Sequence, residues 1–325
     1  MNKLKKIGLT ALAGSLVATS VFAGEMSVSG SAGITFAGQD KASSGNGWTM
    51  SDEITFAGSG EMDNGWNVAV SMQLDNNAQA AATQNLDNRS ISVDMGDAGT
   101  LKFIGHGGSS AMGAIDDKMP HADGNETWDT IGETNGIGSV AKKFKSISGT
   151  SANNMMTYSN TMIDGVAFNA SLVPSDGTVV ETTTSFAVAY TGVEGLTLGY
   201  GIDENGAVGT AQTDFKSMYA LYAVGGFTMG YTKASESSDT ATSNDDFNAY
   251  GVSYAVSDDI TVSYNVSEYD AASVALDQEN TAVAVSYTMG SMKFVGTMVT
   301  MDNIGGSALA VNDTQGYEFG VSFAF

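Results

Sequence analysis

The clearest regularity in the chain is an alternation of period two. Trp66, Val68, Val70, Met72 and Leu74 are separated by Asn67, Ala69, Ser71 and Gln73, so an extended segment here carries one greasy face and one mostly polar face. The pattern returns in Leu196, Leu198, Tyr200 and Ile202, in Ile260, Val262, Tyr264 and Val266, in Val283, Val285 and Tyr287, and in Tyr317, Phe319, Val321, Phe323 and Phe325. Helical periodicity is nearly absent. Sixteen such runs are counted, starting near residues 26, 50, 65, 89, 100, 154, 165, 184, 195, 215, 226, 247, 259, 280, 291 and 315. Most are eight to twelve residues long. That length suits the roughly 9 to 11 residues of a tilted strand crossing a hydrocarbon layer better than the roughly 5 to 6 of an ordinary strand.

The connections alternate too. Asp63-Asn64, 96–99, Ile163-Asp164, 192–194, Gly225, Ser257-Asp258 and Gly290 are short and carry the Asn, Asp and Gly that tight hairpins need. Segments 38–49, 76–88, 107–153, 174–183, 203–214, 234–246, 268–279 and 301–314 are long and polar. In an up-and-down sheet this puts every short turn at one end and every long loop at the other. A soluble sandwich has no reason to sort its connections so, whereas an outer-membrane barrel does. An open sheet edge cannot be hydrogen-bonded by lipid, so the sheet must close. Sixteen strands are too many for side chains to fill the interior, and an aqueous channel remains. The predicted fold is all-β: a 16-stranded antiparallel transmembrane β-barrel.

Composition narrows the reading further. The 325 residues include 40 Gly, 2 Pro and no Cys, which excludes a disulfide scaffold, and no apolar run beyond residue 23 is long enough for a spanning helix. Residues 1–23 have the form of a secretory signal peptide, with Lys3, Lys5 and Lys6, an apolar stretch from Ile7 to Val17, and Val21-Phe22-Ala23 as the cleavage site. The barrel then occupies 24–325. The net charge of the whole chain is -23, and loss of the three leader lysines makes the mature chain more acidic still. A nucleic-acid partner is excluded, because phosphate binding needs a basic face.

The leader, the sixteen alternating runs, the oversized third loop and the ending Tyr317-x-Phe319-x-Val321-x-Phe323-x-Phe325 together resemble the Gram-negative general porins. Asn154-Met155-Met156-Thr157-Tyr158-Ser159-Asn160 is similar to the strand that follows the third loop in that family. The resemblance implies a location in the outer membrane of a Gram-negative bacterium, passive diffusion of small hydrophilic solutes and ions, and a homotrimer. It also implies recognition of the C-terminal phenylalanine by the outer-membrane assembly machinery, and a third loop, 107–153, folded inward as a constriction. Gly30, Ala32, Gly58 and Gly60 leave a flat patch in otherwise lipid-facing rows, where copies could pack.

The constriction is expected to be lined by Asp116, Asp117, Asp123, Glu126, Asp129 and Glu133 on the third loop, facing Lys102 and Arg89 on the wall. Relatives carry an arginine cluster there, whereas Arg89 is this chain's one arginine, so the fixed charge is negative and a cation preference is expected. No enzyme is expected: no G-x-S-x-G is present, and His106 and His121 are two lone histidines without an assembled triad. No cofactor is required, although Asp245, Asp246 and Asp313 near the mouth could hold a loop-bound calcium. The alternatives are a substrate-specific channel of the same architecture and a structural or adhesive barrel with a plugged lumen.

Overall fold

The computed structural model describes residues 24, 26–40, 47–75, 86–116, 118–122, 147–175, 177, 181–205, 212–238, 244–274, 276–304, 306 and 313–325. Its strands in chain order are β1 (Met26–Gln39), β2 (Gly47–Glu61), β3 (Asn67–Asp75), β4 (Arg89–Asp94), β5 (Thr100–His106) and the two-residue β6 (Gly108–Ser109). There follow β7 (Ser151–Ala152), β8 (Met155–Ile163), β9 (Val166–Val173), β10 (Thr183–Val193), β11 (Leu196–Asn205) and β12 (Thr213–Val224). The last six are β13 (Phe227–Ser238), β14 (Asp245–Ala255), β15 (Ile260–Ala271), β16 (Gln278–Met289), β17 (Met292–Asp302) and β18 (Thr314–Ala324).

All except β6 and β7 form one closed barrel in sequence order, sixteen antiparallel strands with β1 paired to β18, while β6 pairs with β7 as a separate ribbon. Every barrel strand begins within three residues of a run read from the alternation. The tight turns follow glycine: Gly165 and Gly225 take φ of 71° and 59°, a left-handed backbone that side chains with a Cβ resist. The first of these turns therefore falls at Asp164–Gly165, one residue later than the alternation places it.

Closure is made by a reciprocal pair of hydrogen bonds. The Gly30 amide donates to the Phe325 carbonyl and the Phe325 amide donates to the Gly30 carbonyl, both at 2.9 Å. These bonds extend the β1–β18 ladder to the last residue and leave no open edge for lipid.

The two faces separate as the alternation requires. On β10, Phe186, Val188 and Tyr190 are exposed on the outer row, while Ser185 and Ala187 on the inner row are buried. Outer-row aromatics gather near the short turns, with Phe227 and Tyr254 ring centroids 4.4 Å apart and Tyr287 beside Phe294 at 6.2 Å. A second group, Phe36 against Trp48 at 4.8 Å and Tyr317 beyond it, lies near the long-loop end. Two such belts are where amphipathic rings sit at membrane interfaces.

One expectation about the interior needs correction. A wholly wet inner row does not describe β10–β17, where an apolar core lies inside the barrel. Met112 and Ile147, from the connection between β5 and β8, pack with Phe247, Ala249, Ala234 and Tyr269 of the wall. The inner residues there are small because the chain itself fills the space in front of them.

Candidate functional site

The connection between β5 and β8 supplies two described arms, residues 107–122 and 147–154, which are held against the inner row. The amides of Ala111 and Met112 donate to the Ser171 and Ser185 hydroxyls at 3.0 and 2.9 Å. Further along, Thr232 donates to the Lys118 carbonyl, Asn265 Nδ2 donates to the Pro120 carbonyl at 2.8 Å, and the Ala122 amide donates to Ser263 at 3.0 Å. These wall residues span β9 to β15, so the first arm runs along that side of the bore.

Both arms meet at Asp203, an inner-row residue of β11 that is fully buried. One carboxylate oxygen accepts the Ser110 hydroxyl at 2.5 Å and the Thr150 amide at 2.8 Å. A carboxylate suits this place because hydrogen bonds to a charged acceptor are shorter and stronger than neutral ones. Glycines on the same wall make room. A Cβ at Gly201 would stand 2.8 Å from Ile115 Cδ1, and one at Gly230 would stand 2.4 Å from Pro120 Cδ. Gly230→Val is therefore expected to push the Pro120 arm off β13 while leaving the barrel ladder intact. Limited proteolysis checks this, with cleavage between residues 107 and 153 becoming faster than in the unaltered chain.

The opposite side of the bore, from β17 through β18 and β1 to β5, is polar. Glu53 on β2 is the centre of its best-defined network, accepting from Ser31 at 3.2 Å and from Gln73, which in turn accepts from Asn88. Its cross-strand neighbour on the same row is Asp75. The inner rows of these seven strands carry five described carboxylates, Glu53, Glu61, Asp75, Asp94 and Glu318, against two lysines, Lys102 and Lys293.

The residues expected at the constriction fare differently. Lys102 is on the inner row of β5, between the exposed Leu101 and Phe103. Arg89 is not on the bore. It pairs across strands with Met72, whose row faces outward, and its stem lies against Gly105. The reason is parity, since Arg89 shares its face with Ile91 and Val93. Asp116 is buried rather than presented to water, and it accepts the Gly149 amide at 2.6 Å, tying one arm to the other. Asp117, Asp123, Glu126, Asp129 and Glu133 lie outside the described residues.

The residues weighed as calcium ligands do not converge. Asp245 faces inward and accepts the Tyr269 hydroxyl at 2.5 Å and the Ala272 amide at 3.0 Å, whereas Asp246 faces outward 3.8 Å from Lys233. Asp313 accepts the Asn303 amide. His106 lies against Asp87, with Nδ1 3.8 Å from the carboxylate. Asp203 and Glu53 were not among the expected site residues, although their inner-row parity is written in β11 and β2.

The sequence pattern of the Gram-negative porin family matches residues 8–325. The chain belongs to that family. Among solved structures, this porin resembles the anion-selective porin from Comamonas acidovorans, with a TM-score of 0.66 at 15% identity over 93% of this chain and 99% of that one. It also resembles a triple mutant of the Rhodopseudomonas blastica porin, with a TM-score of 0.66 at 16% identity over 93% of this chain and 100% of that one. At such identities the likeness speaks for the fold alone. None of the curated proteins compared by sequence matches. Family and fold together make this an outer-membrane porin, a channel protein rather than a member of an enzyme family.

Proposed function

We propose that this porin lets small hydrophilic solutes and ions diffuse passively across the outer membrane, with a preference for cations. The observation that carries the preference is the charge on the polar wall, five carboxylates against two lysines among the described residues. Acidic walls raise the local cation concentration and repel anions, and the low-dielectric barrel focuses that field. Glu53 stands at the centre of it, because Ser31 and Gln73 fix its carboxylate toward the lumen. The anion selectivity of the Comamonas acidovorans protein belongs to a chain with 15% identity.

The arms on β9–β15 support a reading in which segment 107–153 narrows the bore, with Asp117, Asp123, Glu126, Asp129 and Glu133 carried on the part between them. Residues 1–23 act as a leader removed near Ala23. The mature chains assemble as a homotrimer through the outward face of β1 and β2, where Gly30, Ala32, Gly58 and Gly60 leave the sheet bare.

Zero-current potentials under a KCl gradient test the preference. The unaltered porin is expected to give the sign of a cation-preferring channel, and Glu53→Gln, which keeps the Ser31 contact, is expected to move the potential toward zero. An anion-preferring sign in the unaltered protein contradicts the proposal.

A further inference from the structure

The outward rows of a membrane barrel should be apolar at mid-strand, and two residues of opposite charge break that rule on neighbouring strands. Asp52 is the sixth residue of β2 and pairs with Ala32, which in turn pairs with Phe323 on the outer row. Met50 and Ile54, on either side of it in that row, are exposed apolar residues. One carboxylate oxygen of Asp52 is buried with no hydrogen-bond partner. Arg89, two strands further round on β4, is exposed on the same outer face, and among the described residues no carboxylate lies within ion-pairing reach of it. Between the two, outward residues including Met26, Phe56, Gly58, Val70 and Met72 line a depression of about 420 Å³.

A charge turned toward hydrocarbon is costly. The cost vanishes when the two charges meet away from lipid. Within one copy they lie on different strands with β3 between them. In a closed ring of copies each chain presents one edge of the patch to the opposite edge of the next, which is the heterologous contact that cyclic symmetry requires.

We infer that Asp52 of one copy forms an ion pair with Arg89 of the neighbouring copy, and that this pair sets the rotational register of the assembly. The inference rests on the homotrimer proposed above. It gives the lone arginine a role outside the bore, and it explains why a carboxylate is kept on a face that otherwise asks for Val or Leu.

The chain has no cysteine, so a two-site thiol test is clean. Asp52→Cys and Arg89→Cys are introduced separately and together, and the unheated porin is treated with a short bismaleimide. The double variant is expected to give covalent dimers and trimers on a denaturing gel, and each single variant only monomers. If both thiols accept a monofunctional maleimide and the unheated protein still migrates as an oligomer, yet no covalent product forms, the pairing is wrong. If the unheated, unaltered protein migrates as a monomer, the assembly reading fails first. Independently, Asp52→Arg and Arg89→Asp should each lower the temperature at which the oligomer dissociates, and their combination should restore it. Failure of the combination to restore it overturns the inference.

Discussion

Gly30→Val is expected to abolish the folded barrel. Gly30 sits at the seam, where its amide and carbonyl both bond to Phe325. A Cβ there would stand 2.5 Å from the Glu53 carbonyl oxygen and 2.7 Å from the Phe325 ring, so valine must displace either β2 or the terminal residue. Over-packing alone costs about 1–3 kcal/mol. Opening the seam then leaves backbone groups facing lipid, each worth several kcal/mol more. The expected readout is loss of the fast-migrating, heat-modifiable band of the folded barrel. Gly60→Val is the control: a Cβ there meets nothing closer than 3.8 Å, and the band should persist. Folding of Gly30→Val at the unaltered yield would show that the seam is not where closure is decided.

Asp203→Ala is expected to give the largest change in conduction. The substitution removes the acceptor shared by Ser110 and Thr150, and with it the point where both arms of segment 107–153 are fixed. Hydrogen bonds to charged groups contribute about 1.5–3 kcal/mol each, and the Ser110 hydroxyl is left buried without its partner. The barrel ladder does not depend on this side chain, because β11 is paired by backbone bonds along its length to β10 and β12. The arms should therefore loosen while the barrel stays folded. Single-channel recording is expected to show a higher and noisier open level than the unaltered porin. An identical, quiet open level would mean that the arms are held by the apolar contacts of Met112 and Ile147 alone.

Strand existence was legible because one rule, lipid outside and something else inside, acts on every barrel strand with period two. The largest offset shows where that rule weakens. β2 begins at Gly47 rather than near residue 50, because Gly47 adds no side chain to the alternation. Parity also carried more than was read from it. Arg89 shares a face with Ile91 and Val93, and Asp52 shares one with Met50 and Ile54, so both outward placements were available in the sequence.

The remainder was not available, for a physical reason. Alternation says which residues share a row but not what lies in front of the row. The contacts of Ser110 with Asp203 and of Asn265 with Pro120 join residues 93 and 145 positions apart, and no local pattern encodes them. The one trace they leave is the run of small inner residues on the covered wall, among them Ala234, Ala249, Ala282 and Ala284, where the polar wall has Ser31, Glu53 and Gln73.

The account turns on a bore that stays open to water beside the arms packed on β9–β15. Single-channel recording of the purified, unheated porin in a planar bilayer tests this most directly. It should insert in discrete steps whose size grows with KCl concentration. A bilayer that remains silent at every salt concentration, with folded protein shown to be inserted, would contradict it.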